Sequence, residues 1–194
     1  SNTISGAVCT GLGIAPKQIN KVKGIFKAYC TRVGSGPFPT ELNNYMGERL
    51  RSAGNEFGAT TGRPRRCGWL DLVALKYAVM INGVDELFMM KTDVLSGIDE
   101  LQVGTAYDLG PKVVEHFHST SLETSKVVFS SFEGWQEDIT HVSSFNQLPD
   151  NLLHYIDFLK RAREVRTGKT KKRREARKKY VEKQLDKADL PFWW

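Results

Sequence analysis

The stretch GATTGRPRRCGWLD, residues 58–71, is the most informative part of this chain. It holds three arginines and two threonines within seven residues, together with glycines and a proline. Glycine lets a backbone approach a ligand closely, and proline stiffens the turn. Arginine presents a planar fork of donors that matches the oxygens of a carboxylate or a phosphate. Composition alone leaves two interpretations open, an anion-binding loop and a basic surface loop.

Hydrophobic periodicity on either side of this stretch predicts alternating helices and strands. Apolar residues at helical spacing predict helices at residues 16–31, 45–53, 71–81 and 151–162. Short apolar runs bounded by polar turns predict strands at residues 86–90, 101–107, 112–118 and 127–132. Helix alternating with strand favours the α/β class, but the strands are too few for a free-standing sheet covered on both faces. The chain is therefore predicted to need a partner that covers sheet edges and apolar faces.

Several motifs occur in the order found in a known enzyme family. They are GAVCTG at 6–11, KAYCTRVG at 27–34, GPFPTEL at 36–42, GNEF at 54–57, the arginine-rich stretch, and MKTDVL at 90–95. With these motifs the chain resembles the adenylosuccinate synthetase family, which joins IMP to aspartate using GTP. The resemblance covers residues 1–160. It implies part of an α/β sheet related to the P-loop NTPases, with its helices, followed by a basic helical extension.

The resemblance also implies which residues bind substrates. The positions that match the family's aspartate-binding loop are Thr60, Thr61, Arg63 and Arg65. Arg63 also matches a position near IMP, and Val8 matches a contact to the nucleotide ribose. Lys91 and Asp93 match the element that reads guanine, whose paired N–H donors need a carboxylate acceptor. Both residues follow a predicted strand, at the end where open α/β sheets bind ligands.

Other parts of the family pattern have no counterpart in this sequence. They are the glycine-rich phosphate loop with its catalytic aspartate, the catalytic histidine, and the final segment that contacts the guanine base. The chain is therefore predicted to correspond to the later part of the enzyme and to hold no catalytic residue. It is predicted to use GTP and magnesium only when paired with the other half. The matched binding residues either serve such a partner or persist from an ancestor without ligands.

No metal site and no membrane partner are predicted. The cysteines Cys9, Cys30 and Cys67 lack metal-type spacing and are predicted to be reduced thiols. His116 and His118 share one face of a predicted strand, but no third ligand stands at a convincing spacing. No apolar run reaches the roughly 18 residues of a membrane span.

Charge is distributed unevenly along the chain. Residues 161–187 hold 13 Lys or Arg against four acids, whereas residues 1–160 hold 15 basic and 17 acidic side chains. Two parts are therefore predicted: a partial synthetase-like domain at 1–160, and a basic helical extension at 161–194 that ends in aromatic residues. A basic block is an electrostatic footprint for nucleic acid. The predicted RNA-binding residues are Lys169, Lys171, Lys172, Arg173, Arg174, Arg177, Lys178 and Lys179.

Two functions from different classes fit these features. In the first, the chain is a non-catalytic component of a ribonucleoprotein such as a divergent mitochondrial ribosome, with RNA and neighbouring protein subunits as partners. In the second, it is one half of a split or truncated adenylosuccinate synthetase, and its partner is a chain that bears the phosphate loop. The basic extension favours the first and the arginine-rich stretch the second. The sequence alone leads us to prefer the first, with a mitochondrial location and a cytoplasmic one as the alternative.

Overall fold

A computed structural model of the chain describes residues 2–117, 122–123 and 125–162. The chain divides into two compact units, Ser1–Asn151 and Leu152–Trp194. The first unit holds every predicted substrate-binding residue. All of the predicted RNA-binding residues lie outside the described residues, so their role stays a prediction.

Helices and strands alternate along the described residues. The helices are α1 Ala7–Leu12, α2 Tyr45–Ala53, α3 Leu72–Asn82 and α4 at 150–162, with turns of 3-10 helix at Pro16–Gln18, Thr92–Leu95 and Phe145–Gln147. The strands are β1 Lys23–Lys27, β2 Cys30–Arg32, β3 Arg66–Gly68, β4 Leu70–Asp71, β5 Glu86–Met90, β6 Glu100–Asp108, β7 Val113–Val114 and β8 Lys126–Glu133. The predicted α/β class is confirmed.

A parallel pair of strands includes a segment that the sequence predicted as helix. β1 pairs with β5 over its full length, from Lys23↔Glu86 to Lys27↔Met90. The helix predicted at 16–31 is therefore wrong, whereas its partner strand β5 was predicted correctly. Local periodicity did not reveal β1, because this short strand is fixed by pairing with residues far along the chain.

The two faces of this strand pair differ. On one face Gly24 allows close packing, because a Cβ there would lie 2.8 Å from Leu87 Cδ2 and 3.0 Å from Val84 Cγ1. The opposite face, which we call the open face, carries Ile25, Phe88 and Met90, whose exposed fractions are 77%, 45% and 53%. Parallel sheets are normally buried on both faces. The open face differs in that these apolar side chains are exposed, and the partner expected from the sequence stays a prediction.

A second sheet is built around β6. It pairs in parallel with β4 and antiparallel with β7 and β8. Tyr107 of β6 packs in a buried cluster with Val73 of α3 and Val114 of β7. The strands predicted at 101–107 and 127–132 are confirmed, whereas in the described part of the strand predicted at 112–118, residues 112–117, the strand is limited to Val113–Val114.

Side-chain caps fix where α2 and α3 begin. Asn44 caps α2 by accepting backbone N–H bonds from Met46 and Gly47, and Asp71 caps α3 by accepting from Ala74. Gly83 ends α3 in the left-handed region, at φ 59°. The two helices end at Ala53 and Asn82, at or within one residue of the ends predicted from the sequence. In the described part of the chain no helix is long and apolar enough to cross a membrane.

Candidate functional site

The arginine loop, residues 56–65, is closed at its base like a hairpin. The Arg65 backbone N–H donates to the Glu56 carbonyl at 2.9 Å, and the Gly58 N–H donates to the Arg63 carbonyl at 2.9 Å. Gly62 takes a left-handed conformation, φ 63°, and its N–H donates to the Gly58 carbonyl at 2.8 Å. The glycines thus allow a tight turn whose stem is held by backbone hydrogen bonds.

The tip of the arginine loop presents polar groups to solvent. Thr60, Thr61 and Arg63 are exposed. The Thr61 hydroxyl accepts a bond from the Arg63 backbone N–H at 3.4 Å. Within the described residues, neither the Thr60 hydroxyl nor the Arg63 guanidinium makes a hydrogen bond or ion pair. Their donors are therefore available to an anionic ligand.

A buried carboxylate holds the stem of the loop. Glu56 is 1% exposed, and its carboxylate accepts hydrogen bonds from three side chains. Lys27 Nζ and Tyr29 Oη each donate to Oε1 at 2.6 Å, and Arg65 Nη1 donates to Oε2 at 2.7 Å. Arg65 is consequently fixed in place, in contrast with Arg63.

These hydrogen bonds keep Glu56 ionised. Burial raises the pKa of a carboxyl group, but the bonds from Lys27, Tyr29 and Arg65 outweigh burial and lower the pKa of Glu56 to about 2. Burial and the bond to Glu56 raise the pKa of Tyr29 well above its usual value, so Tyr29 is a neutral donor. The cluster therefore holds two cations against one anion.

The predicted guanine-binding residues lie at the carboxyl end of β5, as expected. Lys91 follows β5 directly, in a left-handed conformation at φ 63°, and its Nζ donates to the Gly54 carbonyl at 2.7 Å. Asp93 stands in the first turn of the 3-10 helix that follows, and it is exposed. The Ala28 backbone N–H, just after β1, donates to the Met90 carbonyl at 2.9 Å. The ends of both parallel strands thus meet at one edge.

The structure brings Arg65 and Lys91 to this same edge. Arg65 is bonded to Glu56, which is also bonded to Lys27 at the end of β1. Lys91, just after the end of β5, is bonded to the Gly54 carbonyl, two residues before Glu56. We call this place, which carries the ends of β1 and β5 and the stem of the arginine loop, the carboxyl edge. This edge carries the cationic side chains of Lys27, Arg65 and Lys91 against the carboxylates of Glu56 and Asp93, and the excess of positive charge suits anionic substrates.

Val8 lies elsewhere. It stands on α1 beside a cleft of about 600 Å³ that the first residues of the chain form with β1 and α3. Ser5 fixes this segment, because its N–H and hydroxyl bond to Asn82 at 2.7 and 2.8 Å. The cleft lining includes no residue of the arginine loop and neither Lys91 nor Asp93. The ribose contact of Val8 stays a prediction that this geometry does not link to the carboxyl edge.

Arg66, the third arginine of the stretch, makes contacts that stabilise the fold. Its Nε donates to Glu41 Oε1 at 2.7 Å, and its Nη1 donates to the carbonyls of Gly34 and Gly36. The guanidinium also lies 5.5 Å from the centre of the Phe38 ring. Arg66 therefore fastens the loop before α2 to β3, and its contacts leave ligand binding to the other arginines.

Sequence reasoning missed Glu56, Lys27 and Tyr29. One signal was available, since Glu56 is the sole acidic residue among residues 51–66, a segment rich in arginine. A single carboxylate among several arginines is a candidate for a buried ion-pair hub. The roles of Lys27 and Tyr29 depend on the end of β1, a strand that the sequence did not reveal. Within the described residues, no group of three or more His, Cys, Asp or Glu could hold a metal ion.

The fold and site define an α/β protein with an arginine-rich loop at the carboxyl end of parallel strands. A family model described as adenylosuccinate synthetase matches residues 1–172. The chain belongs to the adenylosuccinate synthetase family, as its motifs predicted.

Individual relatives agree with this assignment. The adenylosuccinate synthetase of Christiangramia forsetii is 54% identical over 167 residues, which are 85% of this chain and 39% of that protein. That of Cytophaga hutchinsonii is 56% identical over 161 residues, 82% of this chain and 37% of that protein. The solved structure of fully ligated adenylosuccinate synthetase from Plasmodium falciparum has a TM-score of 0.82 at 40% identity, and the match covers 84% of this chain and 40% of that chain. The chain thus spans about two fifths of the length of the relatives that it matches.

Proposed function

We propose that this chain forms the aspartate- and guanine-binding part of an adenylosuccinate synthetase, the enzyme that joins IMP to aspartate with GTP. The observation that carries the proposal is the exposed tip of the arginine loop, mounted on a stem that Glu56 fixes at the carboxyl edge. Family membership supports it, since the matched residues are 54% and 56% identical to those of two bacterial members.

The tip of the loop supplies the groups that a dicarboxylate substrate needs. Arg63 offers a guanidinium fork that has no partner among residues 2–117, 122–123 and 125–162, and the hydroxyl groups of Thr60 and Thr61 offer further donors. Arg65 already donates to Glu56, so it contributes positive potential and its remaining N–H groups. Charge-assisted bonds of this kind orient the substrate so that its amine faces the reacting carbon.

Asp93 supplies the acceptor for the guanine edge. Its carboxylate can accept both N–H donors on that edge, a pattern that adenine lacks. Lys91 fixes the turn that presents Asp93, because its Nζ is bound to the Gly54 carbonyl. The same carbonyl belongs to the segment that leads into Glu56, so the nucleotide and the aspartate are held by neighbouring elements.

The chemical step needs groups beyond those in this sequence. In the reaction implied by the family, the IMP carbonyl oxygen is phosphorylated and the aspartate amine then displaces phosphate. Residues of this chain bind and orient aspartate and guanine, and residues outside this sequence supply the phosphate loop, the magnesium site and the catalytic base. Magnesium neutralises charge on the transferred phosphate when it is bound.

The ribonucleoprotein role, preferred on sequence alone, gains no support from the comparisons. The matching proteins carry the name of a synthetase, and the basic residues that carry the RNA prediction lie outside the described residues. The half-enzyme interpretation fits the findings better.

A chimera tests the proposal. Residues 1–172 of this chain replace the matching part of the Christiangramia forsetii enzyme, and formation of adenylosuccinate is measured with IMP, aspartate and GTP. We expect turnover that requires all three substrates. A chimera that folds and stays inactive, while the unmodified bacterial enzyme turns over in the same assay, contradicts the proposal. As a check that the chimera tolerates surface changes, Val113→Asp, at an exposed side chain of β7, should keep its activity.

A further inference from the structure

We propose that Glu56 is a positioning residue, whose carboxylate sets the orientation of the arginine loop relative to the carboxyl edge. The proposal rests on the proposed function, in which the tip of that loop binds a carboxylate substrate. Glu56 itself touches no substrate, because it is buried and its two oxygens are occupied by donors from the protein.

Glu56 is attached to Arg65 twice. The Glu56 carbonyl accepts the Arg65 backbone N–H at 2.9 Å, and Glu56 Oε2 accepts from Arg65 Nη1 at 2.7 Å. The first bond closes the loop, and the second fixes the direction of the Arg65 side chain. Glu56 therefore controls both ends of the stem on which Thr60, Thr61 and Arg63 stand.

Glu56 also attaches the stem to the sheet. Lys27 is the last residue of β1, and its Nζ lies 2.6 Å from Glu56 Oε1, the atom that Tyr29 Oη also binds. Close packing leaves this junction little freedom, since a Cβ on Gly54 would lie 2.2 Å from Tyr29 Oη. The carbonyl of Gly54 holds Lys91, so one junction serves both the arginine loop and the predicted guanine element.

The carboxylate charge is essential to this arrangement. Without it, Lys27 and Arg65 become two neighbouring cations with no anion between them, and they repel each other. A neutral glutamine keeps the shape of Glu56 but not its charge. Glu56→Gln therefore releases Arg65 and loosens the stem. The tip of the loop has few anchors of its own, so its position follows the stem.

Amide hydrogen exchange of the whole chain, followed residue by residue by NMR, tests this role without any need for turnover. In Glu56→Gln we expect the amides of Gly58, Gly62 and Arg65 to exchange at least about tenfold faster than in the wild type, in keeping with loss of a bond to a charged group. Amides of α3 and β6 should change much less. Glu86→Gln, which removes a carboxylate from an exposed ion pair with Lys21, is the matched control and should leave the loop unchanged.

A second variant covers the case in which an unpaired buried charge unfolds the protein. Lys27→Met together with Glu56→Gln removes the excess cation, so exchange in β6 should return to wild-type rates while the three loop amides stay fast. The proposal is overturned if the loop amides are unprotected in the wild type, if they change by the same factor as β6 in Glu56→Gln, or if the double variant restores their protection. None of these exchange rates depends on catalysis. The positioning role of Glu56 can therefore fail while the proposed function holds, and the proposed function can fail while the positioning role holds.

Discussion

Glu56 and Arg63 illustrate two opposite uses of charge near one loop. Glu56 is buried and has three donors, so its charge serves the fold of the loop. Arg63 is exposed and has no side-chain partner among the described residues, so its charge is available to a ligand. The motif led us to predict Arg63 as a binding residue, whereas the role of Glu56 became visible only with the contacts of Lys27 and Tyr29.

The lowered pKa of Glu56 predicts how stability depends on pH. A carboxylate whose pKa falls from 4.5 in the unfolded chain to about 2 in the folded one stabilises the fold above pH 4.5. This contribution, about 3 kcal/mol, is lost as the pH falls toward the folded value. Urea unfolding should therefore show a difference between wild type and Glu56→Gln that is largest above pH 4.5 and shrinks toward pH 2. A constant difference across that window would contradict the buried ion-pair cluster.

Arg63→Ala is expected to weaken substrate binding without weakening the fold. In the chimera, loss of a charge-assisted fork should raise the KM for aspartate by about ten- to a hundredfold. The urea midpoint should stay close to that of the parent, because the exposed Arg63 side chain makes no hydrogen bond or ion pair among the described residues. Kinetics at varied aspartate would check this, and an unchanged KM would remove Arg63 from the site.

At the scale of elements, the sequence predicted helices well where caps and stop signals are local. Asn44 and Gly54 bound α2, and Asp71 and Gly83 bound α3, so these two helices could be read from the chain. β1 could not be read in this way, because it is fixed by parallel pairing with a distant strand. The contacts of Glu56 could not be predicted for the same reason, because Lys27 and Tyr29 lie at and just after the end of β1.

Gly47 offers a test of packing against helix propensity. Propensity alone predicts that Gly47→Ala stabilises α2 by about 1 kcal/mol. The structure predicts the opposite sign, because the new Cβ would lie 2.0 Å from the Leu42 carbonyl oxygen, and the strain should cost about 1–3 kcal/mol. Urea unfolding decides between the two, with Ser52→Ala on the exposed side of α2 as the control. Stabilisation by Gly47→Ala would show that the turn before α2 can move.

At the scale of the whole molecule, the sequence predicted the α/β class, the family and the need for a partner. The class and the family are confirmed, whereas the need for a partner stays a prediction; on the open face of β1 and β5, Ile25, Phe88 and Met90 are apolar and exposed. What the sequence could not decide was function, since a basic extension and an arginine loop favoured different classes. A basic segment is compatible with many kinds of partner, whereas an arginine loop fixed at the end of a strand favours the binding of a small anion.

The open face yields a prediction about assembly. Ile25→Asp changes a side chain that is 77% exposed, so the free energy of unfolding of the chain alone should shift by less than about 0.5 kcal/mol. In the chimera the same change should abolish activity, because we expect the rest of the enzyme to pack on the open face, where a buried charge is costly. Val113→Asp, at a side chain that is 60% exposed on β7, should keep activity. Full activity of Ile25→Asp would show that the open face stays uncovered.

The most direct measurement is the rate of adenylosuccinate formation by the chimera, compared between the parent and Arg63→Ala at saturating IMP and GTP and limiting aspartate. The proposed binding role predicts turnover in the parent and a rate lower by about tenfold or more in the variant. Equal rates in the two proteins, or a folded parent without turnover, would contradict it.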